Sequence, residues 1–428
     1  MNPLTLAILA ILTLALLETP VFTVIAALSM ACLFFVDHDL LALQMILIEM
    51  NRLGSMPVLV ALPLFTFVGC LLTETRAPQR IMDFIEALLG WLPGGMAIAA
   101  LCSCAFFTAL TGASGVTIVA LGSILYPVMR SRGYEEKFTL GLLTTSGSLG
   151  LLFPPSLPVI LYGVIAQVDI SRIFKAALVP GILLIVVLSG YAFFKQMGAP
   201  QRRPQSDISF QRVKTAFVAG IWDWPVIGII LAGVYGGFVT IAEVSAVVLV
   251  YAVVVECFVL KEVSFWRQLP SIIVESAVLS GAIIVILGFA LGFTGFLVDE
   301  RIPNRILVFL TTFCESKLMF LAGLNLFLLA VGCIMDIFSA IVIVVPIIIP
   351  IALSYGVDPI HLCVIFLVNL EIGYSTPPVG INLFISSLKF EKPVTLLYRA
   401  SIPYLLLLLV VLVVITYVPW LSLFLVGS

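Results

Sequence analysis

The chain is short of charge. Asp, Glu, Lys and Arg together make up 10% of its 428 residues, whereas a soluble domain carries about 25%. A string of water-soluble domains is therefore excluded. Histidine is scarcer still: His38 and His361 are the only two, too few for a histidine-rich metal centre. Eight cysteines are scattered with no CxxC pair, and Cys102 and Cys104 sit in an apolar stretch, as small buried residues do. There is no GxxxxGK[ST] loop and no GxGxxG between a strand and a helix, so neither type of nucleotide site is offered. With 21 basic and 23 acidic residues the formal charge is −2, without the basic excess that nucleic-acid binding needs.

Apolar residues are what the chain has. They reach 62%, and mean hydropathy is +1.24. Apolar runs of membrane-spanning length recur from residue 4 to residue 418. The pattern is that of an all-α polytopic membrane protein in a lipid bilayer. The first run, 4–17, lacks a basic leader and passes straight into another, so it reads as a retained span.

A repeat follows from the glycines and prolines. Pro127, Gly133, Gly150, Pro154 and Pro155 recur as Pro350, Gly356, Gly373, Pro377 and Pro378, all at an offset of 223 residues, and Gly69 and Gly292 extend the match. The loop after Pro127 carries Arg130, Arg132 and Lys137. The loop after Pro350 carries no Lys or Arg. The positive-inside rule places these equivalent loops on opposite faces, which makes the repeats inverted, as in many secondary transporters. The first repeat is 1–194, a cytoplasmic linker is 195–220, and the second repeat is 221–428.

Threading the chain from that basic linker gives ten spans, two re-entrant hairpins (93–129 and 317–351) and both termini outside. The hairpin tips fall near Thr108 to Thr117 and Gly332 to Ser339. Residues 74–92 read as an amphipathic helix on the cytoplasmic face, and 271–297 as a span with Gly281 and Gly288 as candidate bends. Arg172 and Lys175 fall outside, against the rule. Two full spans in place of each hairpin would leave the repeat intact.

Two spans are interrupted, one around SGSLGLLFPPS (146–156) and one around Glu371 to Pro378. Consecutive prolines end a helix, and the glycines before them permit tight turns. Inside hydrocarbon such breaks must be buried or line a cavity. Freed carbonyls suit a hard cation such as Na⁺, and half-helix N-termini suit a carboxylate. One break per repeat therefore gives at least two related cation sites flanking an anionic solute. The candidate cation ligands are Ser146, Gly147, Gly150 and Pro154 in the first repeat, and Gly332, Asp336, Asn369, Gly373, Thr376 and Pro377 in the second. The candidate solute contacts are Thr108, Thr111, Ser114, Thr117, Ser148, Glu371, Thr376 and Asn382. Any single Ser or Thr here reads more often as a packing residue; the pairing of the breaks gives the set its weight. Asp336 could serve a cation or cap the tip, and Glu371 beside an anion needs Na⁺, a proton or another cation.

Four segments carry a resemblance: 92–117, 132–163, 236–246 and 332–386. Together they make the chain similar to the large membrane subunit of tripartite ATP-independent periplasmic (TRAP) transporters, within the ion transporter superfamily. The resemblance covers essentially the whole chain. It implies an elevator-type permease of a bacterial or archaeal inner membrane, Na⁺-coupled, taking up a C4-dicarboxylate, sugar acid or related carboxylate, and no enzymatic activity. It implies two partners, a small four-helix membrane subunit and a soluble periplasmic substrate-binding protein. It further implies a transport domain, about 93–168 and 317–388, moving against a scaffold of about 4–73, 176–194, 222–297 and 399–418. By position, Ser146 to Pro155 match the first break and its Na⁺ site, and Asp336 matches the acid of the second tip. The first tip, TGAS, departs from the SGSS that members often carry, so Ala113 brings no hydroxyl. A proton-coupled or non-TRAP organic-anion carrier of the same architecture is the alternative.

Overall fold

The computed structural model describes residues 44–197 and 210–427 apart from 238, 312, 313, 315 and 378, with isolated positions between 23 and 34. The span expected at 4–18, most of that at 20–36, the middle of the linker and Pro378 lie outside the described residues. Among those described there is no strand.

The first half builds α1 (Gln44–Gly54), α2 (Ala61–Thr73) after a short turn of helix at Pro57–Val60, α3 (Ala77–Leu89), α4 (Gly95–Thr111), α5 (Ser114–Ser131), α6 (Glu136–Ser146), α7 (Leu157–Ala166) and α8 (Ile170–Met197). A short α9 (Phe210–Ala219) follows the linker. The second half builds α10 (Trp224–Gly236), α11 (Ile241–Val254, continued by a π-helical turn, Val255–Val259), α12 (Leu269–Asp299), α13 (Ile302–Thr311), α14 (Lys317–Ile334), α15 (Ile337–Ser354), α16 (Pro359–Gly373), α17 (Ile381–Phe390), α18 (Val394–Tyr417) and α19 (Trp420–Leu423). Seven of these are long and apolar enough to cross a membrane, or up to ten if each of three bent pairs counts as one span. Three of the seven, α5, α14 and α15, belong to the expected hairpins.

Local chemistry sets the ends. Asp358 accepts the backbone N–H groups of Ile360 and His361, and Thr240 with Glu243 forms a reciprocal capping box; each satisfies donors that the first turn leaves open. Glu243 is thus an exposed helix cap. Gly112, at φ 65°, ends α4 in the left-handed conformation that glycine adopts without strain. α12 runs unbroken through Gly281 and Gly288.

The 223-residue offset holds for whole elements. Shifted by it, α5 becomes Ile337–Ser354, which is α15, and α6, α7 and α8 fall on α16, α17 and α18 within one or two residues at their N-terminal ends. The halves exchange partners. α5 packs on α17 and α15 on α7; α6 packs on α18 and α8 on α16. A close approach is likewise duplicated. A Cβ on Gly150 would lie 2.4 Å from the Ala109 nitrogen, and one on Gly373 would lie 2.6 Å from the Gly332 carbonyl carbon. Ala109 and Gly332 are themselves one offset apart, so each break is seated against its own hairpin by a side chain too small to hold it off.

A second group lies outside this core. α2 packs on α11 and on its own counterpart α12, α1 packs on α12, and α10 on α11. Residues 176–194 and 399–418 lie in α8 and α18, which pack mainly with hairpins and broken helices; Gly141 of α6 would place a Cβ 2.1 Å from the Ala400 carbonyl oxygen. The amphipathic segment forms as α3 and rests on α4 and α9.

Candidate functional site

In the first half, the hairpin tip is the two residues Gly112 and Ala113 between α4 and α5, and the helix axis turns by 44° across the break between α6 and α7. Thr108 joins the two. Its buried hydroxyl lies 2.7 Å from the Gly147 carbonyl, 2.8 Å from the Cys104 carbonyl and 2.9 Å from the Thr117 hydroxyl. One hydroxyl has one proton, so it donates to one carbonyl and accepts from Thr117.

In the second half, Asp336 is the N-cap of α15. Its Oδ1 accepts from the backbone N–H groups of Phe338 and Ser339, both at 3.0 Å, and its Oδ2 accepts from the Ser339 hydroxyl at 2.5 Å. In this conformation Asp336 is a helix cap. Tyr374, the first residue of the second break, accepts the Ile337 N–H with its hydroxyl. Gly380 N–H donates to the Cys333 carbonyl at 3.1 Å, and the Cys333 thiol to the Thr376 carbonyl at 3.2 Å. Tip and break are tied along their length.

Between the halves runs a buried polar path. Ser114 donates to Asn382 Oδ1 at 2.8 Å, and Asn382 Nδ2 reaches the Thr144 carbonyl and the Ser148 hydroxyl, each at 3.4 Å. Ser148 Oγ stands 3.5 Å from the Glu371 carbonyl. Ser148 and Glu371 are 223 residues apart, so equivalent positions of the two breaks meet. Thr144 donates to Ser386 at 2.9 Å alongside. Buried polar groups in a low-dielectric interior are stable only when paired. Here several are not: Glu371 Oε1 and Oε2, Thr145 Oγ1, Ser375 Oγ and Asn369 Oδ1 have no hydrogen-bond partner among the described residues. A carboxyl group so placed is tolerable as a neutral acid or beside a cation.

The structure thus gathers Thr108, Ser114, Thr117, Gly147, Ser148, Glu371 and Asn382 at the centre, with Gly150, Gly332 and Gly373 at the two close approaches. Other candidates point elsewhere. Thr111 folds back on its own tip, 3.4 Å from the Ala113 carbonyl. Ser146 bonds Leu143 and Thr376 bonds Ile372, each within its own turn. Pro154 lines an apolar cavity on the far side of the break, and Pro377 is exposed. Asn369 donates to Asn325 at 2.7 Å, in a separate buried cluster with Thr416 and His361.

Two features escaped sequence reasoning. Tyr374 gives no motif signal, because an aromatic in a break looks like packing. The other is the anchoring of α3. Arg80 grips Asp223 with two nitrogens (2.6 and 2.9 Å) and also reaches Glu262 (2.5 Å) and Glu256 (3.4 Å). Burial alone would push its guanidinium pKa down; the hydrogen bond and charge of Asp223, with Glu262 and Glu256, more than offset this and push it up. Six residues on, Glu86 Oε1 receives Arg132 at 2.9 Å and Arg212 at 3.0 Å.

Paired breaks, paired hairpins and a polar centre inside an apolar helical bundle define a polytopic transport permease. The chain matches the DctM component of tripartite ATP-independent periplasmic transporters over residues 7–421, and it belongs to that family. It is 37% identical to the C4-dicarboxylate TRAP transporter large permease protein DctM of Pseudomonas aeruginosa, over 85% of each chain. It is 34% identical to the isethionate TRAP transporter permease protein DctMQ of Oleidesulfovibrio alaskensis, over 89% of this chain and 60% of that longer protein. Among solved structures it is similar to the YdaH transporter of Alcanivorax borkumensis, with a TM-score of 0.62, 14% identity and coverage of 90% of this chain and 89% of that one, a likeness of fold. Family membership makes the chain a multi-pass permease of a bacterial inner membrane, a transporter and not an enzyme. Members characteristically work with a small membrane subunit and a periplasmic substrate-binding protein.

Proposed function

We propose that this chain carries out Na⁺-coupled uptake of an organic anion by elevator-type alternating access, the anion being delivered by a periplasmic binding protein. The observation that carries this reading is the contact of Ser148 with the Glu371 backbone, where equivalent positions of two broken helices meet beside Asn382. It supports an inverted repeat with its pseudo-twofold axis through the polar centre. Both hairpin tips hydrogen-bond to the breaks, which supports re-entrant hairpins that stop within the membrane. The core comprises α4 to α8 and α14 to α18; the scaffold comprises α1, α2 and α10 to α12, so α8 and α18 move with the core.

Na⁺ is co-transported cargo. Oxygens without a partner among the described residues at Glu371, Thr145 and Ser375 offer hard ligands for it, and Asn382 and Ser148 offer hydrogen bonds to a carboxylate. With cation and anion bound, the core can shift without carrying bare charge through hydrocarbon. Relatives are named for C4-dicarboxylates, isethionate, ectoine, 2,3-diketo-L-gulonate and sialic acid. A C4-dicarboxylate or related carboxylate is the solute proposed here. The test is uptake into proteoliposomes holding this chain and its small subunit, with the binding protein outside. A Na⁺ gradient should drive accumulation, and Asn382→Ala or Ser148→Ala should reduce it at least about tenfold, the worth of one charge-assisted hydrogen bond. Uptake indifferent to Na⁺ would refute the coupling. The unpartnered Glu371 carboxyl favours one second reading, proton coupling, which predicts uptake driven by a pH step in Na⁺-free buffer.

A further inference from the structure

A cavity of about 240 Å³ lies behind the first break, away from the polar centre. Its walls come from α4 (Cys102, Phe106), the break itself (Phe153), α8 and α10 (Ile227, Leu231, Tyr235). The lining is almost wholly apolar, so water gains nothing there and a charged solute is excluded. Its walls are α8, long and apolar enough to cross a membrane, two bent helix pairs that pass the same test, and the shorter apolar helix α4, and Leu231, 45% exposed, stands at its edge. One polar group stands out. The Tyr235 hydroxyl is buried without a hydrogen-bond partner among the described residues, and an unmade buried hydrogen bond is costly.

We infer that this cavity binds one acyl chain of a bilayer phospholipid, with the Tyr235 hydroxyl donating to an ester carbonyl of the same lipid. The surrounding medium is hydrocarbon, and its chains are the apolar species present at that depth. The volume is below the roughly 300–1,000 Å³ of sites for drug-sized molecules, which suits a flexible chain rather than a rigid polycyclic ligand. A phospholipid also supplies an acceptor for Tyr235, which is the next-to-last residue of α10; tyrosines collect at the ends of spans, where apolar chain gives way to polar ester. A consequence rests on the domain division proposed above. α4 and α8 lie in the core and α10 in the scaffold, so the chain fills a seam whose walls slide. A disordered chain adapts to both positions, whereas an empty seam would forfeit dispersion contacts in one of them.

The test uses the complex with its small subunit, reconstituted in phosphatidylethanolamine and phosphatidylglycerol vesicles. A phosphatidylethanolamine bearing a mid-chain diazirine is photolysed and the adducts are mapped by mass spectrometry. Adducts are expected on the peptides holding Cys102 to Phe106 and Ile227 to Tyr235. Ala105→Leu and Ile227→Trp, filling the cavity from opposite walls, should each lower these several-fold while leaving adducts at exposed Val247 and Val274 unchanged, which also reports that the variant is folded. Tyr235→Phe should lower the phospholipid retained through detergent purification. Adducts confined to the outer faces, or insensitive to both filling variants, would overturn the lipid site. In the same vesicles the filling variants should slow Na⁺-driven uptake with unchanged KM. Lost adducts with unaltered uptake would overturn the seam-filling consequence alone. Failure of the Asn382 and Ser148 test bears on the transport reading and leaves the lipid site standing.

Discussion

Asp336 and Gly373 illustrate how single residues divide the work of the site. Asp336 holds two backbone N–H groups and a hydroxyl, so three of the roughly four acceptor sites of its carboxylate go into starting α15 after α14. Asp336→Ala should cost about 0.5–2 kcal/mol, the range for a lost N-cap, read as a lower Tm, and should weaken Na⁺-dependent uptake. Asn caps nearly as well as Asp, so Asp336→Asn should recover most of the stability and uptake. An Asn variant as impaired as the Ala variant would show that the charge itself serves the cation. Gly373 has no such latitude. Its added Cβ would sit 2.6 Å from backbone of Gly332, and neither backbone can yield without opening the tip-to-break contact. Gly373→Ala should therefore destabilise by about 1–3 kcal/mol, as overpacking does, and abolish uptake even in protein that reaches the membrane. Normal uptake would mean that this approach is looser than it looks.

Among the elements, α3 is the one whose role changes most once its contacts are known. In sequence it is an amphipathic helix with interspersed charge, a description that fits any helix at a membrane surface. In the fold it is pinned at one end by Arg80 to Asp223, Glu256 and Glu262, and at the other its Glu86 receives Arg132 and Arg212. The first set belongs to the outer helices, the second to the loop below α5 and to α9, so α3 bridges the two groups. Arg80 is a single cation among three carboxylates. Arg80→Ala leaves those acids facing one another and should cost about 3–5 kcal/mol, the cost of breaking a buried pair, measured as thermal unfolding of the purified protein. Lys cannot reproduce the bidentate grip, so Arg80→Lys should recover only part of this. A variant as stable as the parent would assign α3 to packing alone.

The proposed inversion of the two interlocked halves is testable at the scale of the molecule. Ser131 and Ser354 are one offset apart, exposed, and end α5 and α15. In a protein with its native cysteines replaced, Ser131→Cys should react with an impermeant maleimide only in inside-out vesicles and Ser354→Cys only in right-side-out cells. Labelling of both from one side would make the repeats parallel and remove the basis for alternating access. The exchange of partners, α5 on α17 and α15 on α7, makes neither half a self-standing unit. Each leaves its broken helix uncovered without the other.

Composition and spacing alone were enough for the membrane class, the 223-residue repeat, the hairpin tips and the two breaks. Gly and Pro act through local backbone geometry, and low charge acts through transfer from water, so both are written residue by residue along the chain. The tertiary structure decided what depends on which side chains converge. Asn382 reaches across to Ser114 and Ser148, Asn369 turns away toward Asn325, α8 and α18 pack on the broken helices, and Tyr374 caps a helix 37 residues before it. Those outcomes follow from the crossing of two halves more than 200 residues apart in sequence. A hydroxyl or amide that serves a packing seam and one that serves a solute are the same letter until that crossing brings their partners within hydrogen-bond reach.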